Sequence, residues 1–422
     1  MWSKAHSTMR TSLLASLIAI ATSLFAVAAS AAEPIKIGFG MALTGGLAGN
    51  GKAALIAMQI WADEVNAKGG LLGRPVQLVY YDDQTNPATV PGIYTKLLDV
   101  DKVDLVMSGY GTNLQAPAMP IVMAHGMTFI GLFGLAVNDQ FHYDRFFQMQ
   151  PNGPNAKLSL AQGFFEAAMT AKPTPKTVAI VGADAEFPKV ATEGARELAK
   201  KLGLKIVYDR SYPPATVDFA PVVRAIQAAG PDLVFLASYP PDSAGMIRAV
   251  NEVGLKATVF GGGLIGLQFA SLKQQLGPLL NGIVYYDLYV PAPTLNFPGI
   301  AAFLAKYQPK AVAAGADALG FYLPPFAYAG MQILGGAVEA TKSLDQKKIA
   351  EYIHHTTFKT VVGEIKFGPD GEWVEPRILF VQYRGITGHD LEQFKKVGTQ
   401  VVVYPAQYKS GDLEAPFSEI KH

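Results

Sequence analysis

Apolar and polar positions follow two periods in turn along most of the chain. The run "IKIGFGMAL" from Ile35 reads as a buried strand leading into a glycine-rich loop. In "GKAALIAMQIWADEVNAKGG", Leu55, Met58, Ala62 and Val65 share one helical face, and Gly69 and Gly70 stop it. "VQLVYYDD" is the next strand, and Ile93, Leu97 and Leu98 mark a helix over Val90 to Val100. Strand "VDLVMSG", a helix through "QAPAMPIVMAHG" and strand "MTFIGLFG" complete a first series. The segment "FFQMQPNGPN", near 146–155, interrupts the rhythm. A second series follows: strands "TVAIVGAD", "LKIVYDR", "DLVFLASY" and "KATVFGGG", separated by helices "FPKVATEGARELAKKLG", "DFAPVVRAIQAAG" and "PPDSAGMIRAVNEVG". Such βαβ successions predict two doubly wound, parallel-sheet α/β lobes. After "GIVYYDLYVPAP" helices are predicted near Gly299–Tyr307 and Gly315–Thr341. Then comes a hairpin-like "GEIKFGPDGEWVEPRILFVQY", in which Pro369 presets φ and Gly371 tolerates φ > 0.

Composition sharpens this picture. Half of the 422 residues are hydrophobic and 16% are charged, as extensively buried parallel sheets require. The chain exceeds the ~250–300 residues at which single cores tend to split. Residues 1–31 have a basic start at Lys4 and Arg10, an apolar run from Leu13 to Ala28, and "ASA" at 29–31. That order is a secretory signal peptide, and its apolar run is too short for a spanning helix. Lys4 and Arg10 leave with it, so a formal net charge of +1 becomes −1. A near-neutral surface argues against nucleic acid or an anionic membrane as partner. No cysteine is present, which excludes disulfides, a thiol nucleophile, Cys-ligated metal and a lipid-carrying cysteine. The expectation is a free periplasmic monomer with no membrane insertion after cleavage.

The motifs of catalysis are missing. Gly109 and Gly111 are followed by Leu114, and Gly38 and Gly40 by Leu43, where a dinucleotide fingerprint needs its third glycine. No phosphate-cradling G-x-x-x-x-G-K-[ST], nucleophile elbow or zinc helix occurs. His354 and His355 are adjacent and share no helix face. Asp82 and Asp83, adjacent on an extended segment, point apart, so one of them orienting a loop is a better reading than an acid/base pair. No cofactor, metal or enzyme activity is expected. What remains is six loops at carboxyl ends of parallel strands: "LTGGLAGN", "GYGTNLQ" and "GLFGLA" in the first half, "GADAEF", "SYPPD" and "GGGLIG" in the second. Ligands of open α/β sheets bind at such ends, and these loops carry hydroxyls, amides, aromatics and few charges.

Together "IKIGFGMALTGGLAGNGKAALIAMQIWADEVNAKGGLLGRPVQLVYYDDQTNPATV", "TVDFAPVVRAIQAAGPDLVFLASYPPDSAGMIRAVNEVGL" and "VVGEIKFGPDGEW" resemble periplasmic solute-binding proteins of the branched-chain amino-acid type, subunits of ABC importers. The resemblance spans about Ile35 to Tyr383. It implies a type I periplasmic binding fold whose two lobes, 32–150 with 290–370 and 151–289 with 371–422, are joined by crossovers near Gln150, Tyr289 and Gly371. A ligand would close them by a hinge motion, and the importer's membrane subunits would read the closed form. Carried over by position, the ligand residues are Asn50, Tyr110, Gly111, Thr112, Asn113, Phe133, Gly134, Leu135, Phe187, Tyr239, Gly263 and Leu264. Thr112 and Asn113 stand in the carboxylate-binding loop, Leu135 near the place of a clamp threonine, and Phe187 and Tyr239 over the ligand. Gly263 stands where the family has an acid for the amino group. An ammonium buried without that acid loses about 2–5 kcal/mol. The expected ligand is therefore an aromatic or apolar carboxylate-type compound. A branched-chain amino acid or amide, and a ligand-sensing role beside a signalling receptor, are the alternatives. Export should leave a mature N terminus at Ala32, read by mass spectrometry of the secreted protein; an intact leader would contradict this.

Overall fold

The computed structural model describes residues 32–421; the predicted signal segment lies outside them. Five strands form a first, wholly parallel sheet: β1 (Ile35–Met41), β2 (Val76–Asp82), β3 (Leu105–Tyr110), β4 (Phe129–Leu132) and β5 (Phe146–Gln148), in the order β2-β1-β3-β4-β5. A second sheet begins with β6 (Thr177–Ala183), β7 (Lys205–Tyr212), β8 (Leu233–Ser238), β9 (Val259–Leu264) and β10 (Val284–Asp287). A short pair, β11 (Phe358–Thr360) and β12 (Gly363–Ile365), stands apart. The last strands, β13 (Leu379–Tyr383) and β14 (Gln400–Tyr404), rejoin the second sheet, whose order is β14-β13-β10-β9-β8-β6-β7.

Burial follows position in each sheet. Every residue of β3, β8 and β9 is buried, and these strands are predominantly apolar, whereas the edge strands β2 and β7 are half exposed. The long helix Ala48–Asn66 packs against Pro324–Thr341 and Ile300–Ala313, which returns residues 300–341 to the first sheet.

Three elements differ from the sequence expectations. Phe146–Gln148, read as an interruption, is a fifth parallel strand; at three residues it is too short for a period to show. The helix expected from Gly315 starts at Pro324, because two prolines preset its first turn and Asp317 holds the preceding loop by accepting the N–H groups of Leu319 and Gly320. The second sheet is not wholly parallel, since β13 runs antiparallel to both β10 and β14. Of the hairpin around "GPDG", the bridge from Phe367 to Trp373 forms, while β13 beyond it belongs to the second sheet.

The chain passes between the sheets after β5, after β10 and after β12. The first and last passages lie side by side. Gln148 N–H donates to Gly371 O at 2.8 Å, Trp373 Nε1 to Gln148 O at 2.9 Å, and Arg377 N–H to Pro151 O at 2.9 Å. Gly371 has φ +79°, and a Cβ there would lie 1.8 Å from Phe146 O. Gly371→Ala should therefore destabilise the protein by at least about 1–3 kcal/mol, seen as a lower urea midpoint; an unchanged midpoint would mean the passages can separate freely.

Candidate functional site

The carboxyl end of β3 delivers Tyr110 and then turns sharply. Gly111, at φ +92°, donates its N–H to Leu132 O and opens the turn Thr112–Gln115. Thr112 Oγ1 accepts the Leu135 N–H at 3.0 Å, which ties two loops together and leaves the Thr112 hydroxyl hydrogen to donate elsewhere. Phe133 sits in left-handed backbone at φ +59°, a strained conformation for a ring-bearing residue. Its ring lies 6.3 Å from Tyr110, 5.0 Å from Tyr322 and 5.2 Å from Phe326. The neighbouring Gly134 does not join this group. A Cβ on it would meet Gln115 Oε1 at 2.4 Å and Gln148 Nε2 at 2.9 Å, so it packs into its own lobe's wall.

The second lobe meets these residues directly. Asn113 Oδ1 accepts two donors from across the cleft: the Tyr239 hydroxyl at 2.7 Å and the Phe187 N–H at 3.2 Å. The rings of Phe187 and Tyr239 lie 5.7 Å apart. Gly263, late in β9, leaves room for Phe187: a Cβ there would stand 3.3 Å from Phe187 Cζ and 3.7 Å from Leu160 Cδ1. An acidic side chain at 263 would have to push that ring aside. Leu264 is wholly buried beside it, paired with Ser238.

Three further aromatics complete the interior. Tyr286, at the end of β10, and Tyr322, just before the helix Pro324–Thr341, place their hydroxyls 2.6 Å apart, and Tyr110's hydroxyl is 3.4 Å from that of Tyr322. Phe269 packs edge-on to Tyr322 at 5.5 Å. Burial pushes the phenols of Tyr110, Tyr239, Tyr286 and Tyr322 above their ordinary range, so all stay protonated and neutral. The strand "VYYD" ends at the cleft by the same strand-end rule as the six loops read from sequence, and Tyr286 could have been found that way. Tyr322 follows no strand and gave no such signal.

Two adjoining cavities open between the lobes and share Gly46 and Pro241. One, of about 390 Å³, is lined by Asn50, Pro240, Arg248, Phe269 and Asp317. The other, of about 290 Å³, is lined by Asn113, Ala185, Tyr239 and Asp242. Asn50 is 2% exposed, and its Nδ2 is a buried donor with no hydrogen-bond partner among the described residues.

The paired acids at the end of β2 hold loops. Asp82 accepts the N–H groups of Leu43 and Thr44 and the Thr44 hydroxyl, which fixes the loop preceding Asn50. Asp83 accepts the Thr85 N–H, and burial raises its carboxyl to about 6. His354 Nε2 lies 2.7 Å from Asp144 O, on the surface. Among the described residues no group of three or more His, Asp or Glu could hold a metal ion, and no helix is long and apolar enough to cross a membrane.

Two sheets joined by three crossovers, with their strand ends facing across a cleft, define a type I periplasmic binding fold. The profile of the periplasmic binding protein family matches residues 34–387, and the chain belongs to that family. It is 25% identical over 370 residues to Leu/Ile/Val-binding protein homolog 2 of Brucella abortus (strain 2308), covering 86% of this chain and 95% of that one. Among solved structures it resembles the branched-chain amino acid substrate-binding protein LivJ from Streptococcus pneumoniae in complex with isoleucine. The TM-score is 0.72 at 19% identity, with 88% of this chain and 100% of that one covered. It also resembles an ABC-transporter solute-binding protein from R. palustris in complex with 4-hydroxybenzoate. There the TM-score is 0.73 at 20% identity, with coverage of 91% and 97%.

Asp83 yields a pH prediction. Its folded carboxyl, raised to about 6, binds a proton more tightly than in the unfolded chain, where an aspartate titrates near ~3.9. Its contribution to stability is complete below the unfolded value and is lost as pH rises through about 6. Asp83→Asn keeps an oxygen for the Thr85 N–H and should flatten the fall in melting temperature between about pH 4 and 6. An unchanged slope would assign that fall to other groups.

Proposed function

We propose that this protein is an exported receptor that binds a small aromatic or apolar carboxylate between its lobes and delivers it to an ABC importer. Residues 32–150 with 290–370 would move against 151–289 with 371–422 about the three passages. The observation that carries the reading is the ring-lined interior: Tyr110, Phe133 and Tyr322 face Phe187, Tyr239, Phe269 and Tyr286. Aromatic pairs add about 0.5–1.5 kcal/mol each beyond buried area. Gly263 supports it further, because Phe187 occupies the space in which an ammonium-pairing acid would stand. A carboxylate has donors to meet in the Thr112 hydroxyl and the unpartnered Asn50 amide. The R. palustris relative in complex with 4-hydroxybenzoate supports the same ligand class.

A thermal-shift screen tests the proposal. Benzoate or 4-hydroxybenzoate at a hundred times its Kd should add about 2.7 kcal/mol of stability, with leucine and valine silent. A shift with leucine and none with the aromatic acids would overturn it. In calorimetry, Tyr239→Ala and Thr112→Ala should each weaken the aromatic acid at least about tenfold while melting cooperatively. Wild-type affinity in both would remove these residues from the site.

A further inference from the structure

The smaller of the two cavities between the lobes, of about 290 Å³, has one acidic or basic side chain in its wall, Asp242. Leu47 and Leu114 from the first lobe and Ala183, Ala185 and Pro214 from the second make most of the remainder apolar. Asp242 belongs to the first turn of the helix Pro240–Val253, where an acid stabilises the helix end. Such an acid is ordinarily solvated. This one is 8% exposed, and burial raises its carboxyl to about 6, which leaves it mostly ionised at neutral pH. Its Oδ2 accepts the Tyr212 hydroxyl at 3.3 Å. Its Oδ1 accepts from no described residue and is not sealed from solvent.

An ionised oxygen that has lost most of its water and gained no donor is costly to keep, and a ligand that brings a donor relieves the cost. The nearby side-chain oxygens of the first lobe are already in use. Asn113 Oδ1 takes the Tyr239 hydroxyl and the Phe187 N–H, and the Thr85 hydroxyl donates to Thr44 O while accepting the Leu47 N–H. One open charged acceptor in an apolar wall matches a single donor. An ammonium brings three and would leave the others unmet. A second carboxylate would meet a like charge. A ring hydroxyl brings one donor, together with a flat apolar body for Leu47, Leu114 and Tyr239 to cover.

We propose that Asp242 determines specificity in the cleft by accepting a hydrogen bond from a ring hydroxyl at the end of the ligand opposite its carboxylate. This rests on the reading of the cleft as an aromatic-acid site and narrows the ligand class to hydroxylated aromatic acids. The turn Thr112–Gln115 supplies Asn113 and Leu114 to the wall facing Asp242, so such a ligand has its acid group on the first lobe and its hydroxyl on the second. A molecule held at both ends favours the arrangement in which the lobes face each other.

Calorimetry on the mature chain compares 4-hydroxybenzoate with benzoate, 4-methoxybenzoate and 4-(aminomethyl)benzoate. The hydroxylated acid should bind at least about tenfold more tightly than each of the others. In Asp242→Ala its advantage over benzoate should shrink to within about twofold. An acid that only stabilised its helix would change the melting temperature and leave that ratio alone. Equal wild-type affinity for benzoate and 4-hydroxybenzoate, a ratio unchanged by Asp242→Ala, or tightest binding by the ammonium compound overturns the inference while leaving the aromatic-acid reading in place. Failure of all four to bind removes that reading and the inference with it. Should Asp242→Ala not melt cooperatively, the wild-type comparison of the hydroxy with the methoxy acid decides, and equal binding overturns the proposal.

Discussion

A buried phenol left without a hydrogen-bond partner is costly, and avoiding that cost organises the interior between the lobes. Tyr110, Tyr239, Tyr286 and Tyr322 lie between two sheets whose own backbone groups are already paired. Neither lobe could satisfy them all alone. Tyr239 reaches across to Asn113, and Tyr286 reaches the Tyr322 hydroxyl, which is itself next to Tyr110. The facing arrangement of the lobes is thus the arrangement in which these hydroxyls are not left bare. The surrounding rings, edge-on or tilted rather than stacked, leave the hydroxyls as the polar points of an otherwise apolar interior.

Most of the fold was legible because burial imprints itself on parallel strands. The runs "LVMSGY", "LVFLAS" and "VFGGGL" are buried throughout and carry few polar residues, since helices cover both faces of their sheets. What escaped notice lacked that imprint. Phe146–Gln148 is a strand by virtue of its neighbour β4, and β13 turns antiparallel only because the chain arrives from the other lobe. Both depend on contacts between segments far apart in sequence.

The cleft was legible to the extent that it sits at strand ends. Tyr110, Asn113, Phe187 and Tyr239 meet there, whereas Gly134 serves the wall of its own lobe. Tyr322 stayed hidden because it is carried by a loop that Asp317 shapes through backbone contacts, a feature without periodicity. Gly263 was noticed for the charge it lacks. The structure adds a steric role, since Phe187 fills the space that the missing side chain leaves.

Asn113 Oδ1 receives donors from two separate segments of the opposite lobe, the start of the helix Glu186–Lys201 and the end of β8. A single atom with two obligatory suitors behaves as a coincidence detector. Either donor alone leaves the oxygen half-solvated, and both fit only when two independently folded loops stand at the correct separation. The contact thus ties the placement of two second-lobe segments to one atom of the first lobe.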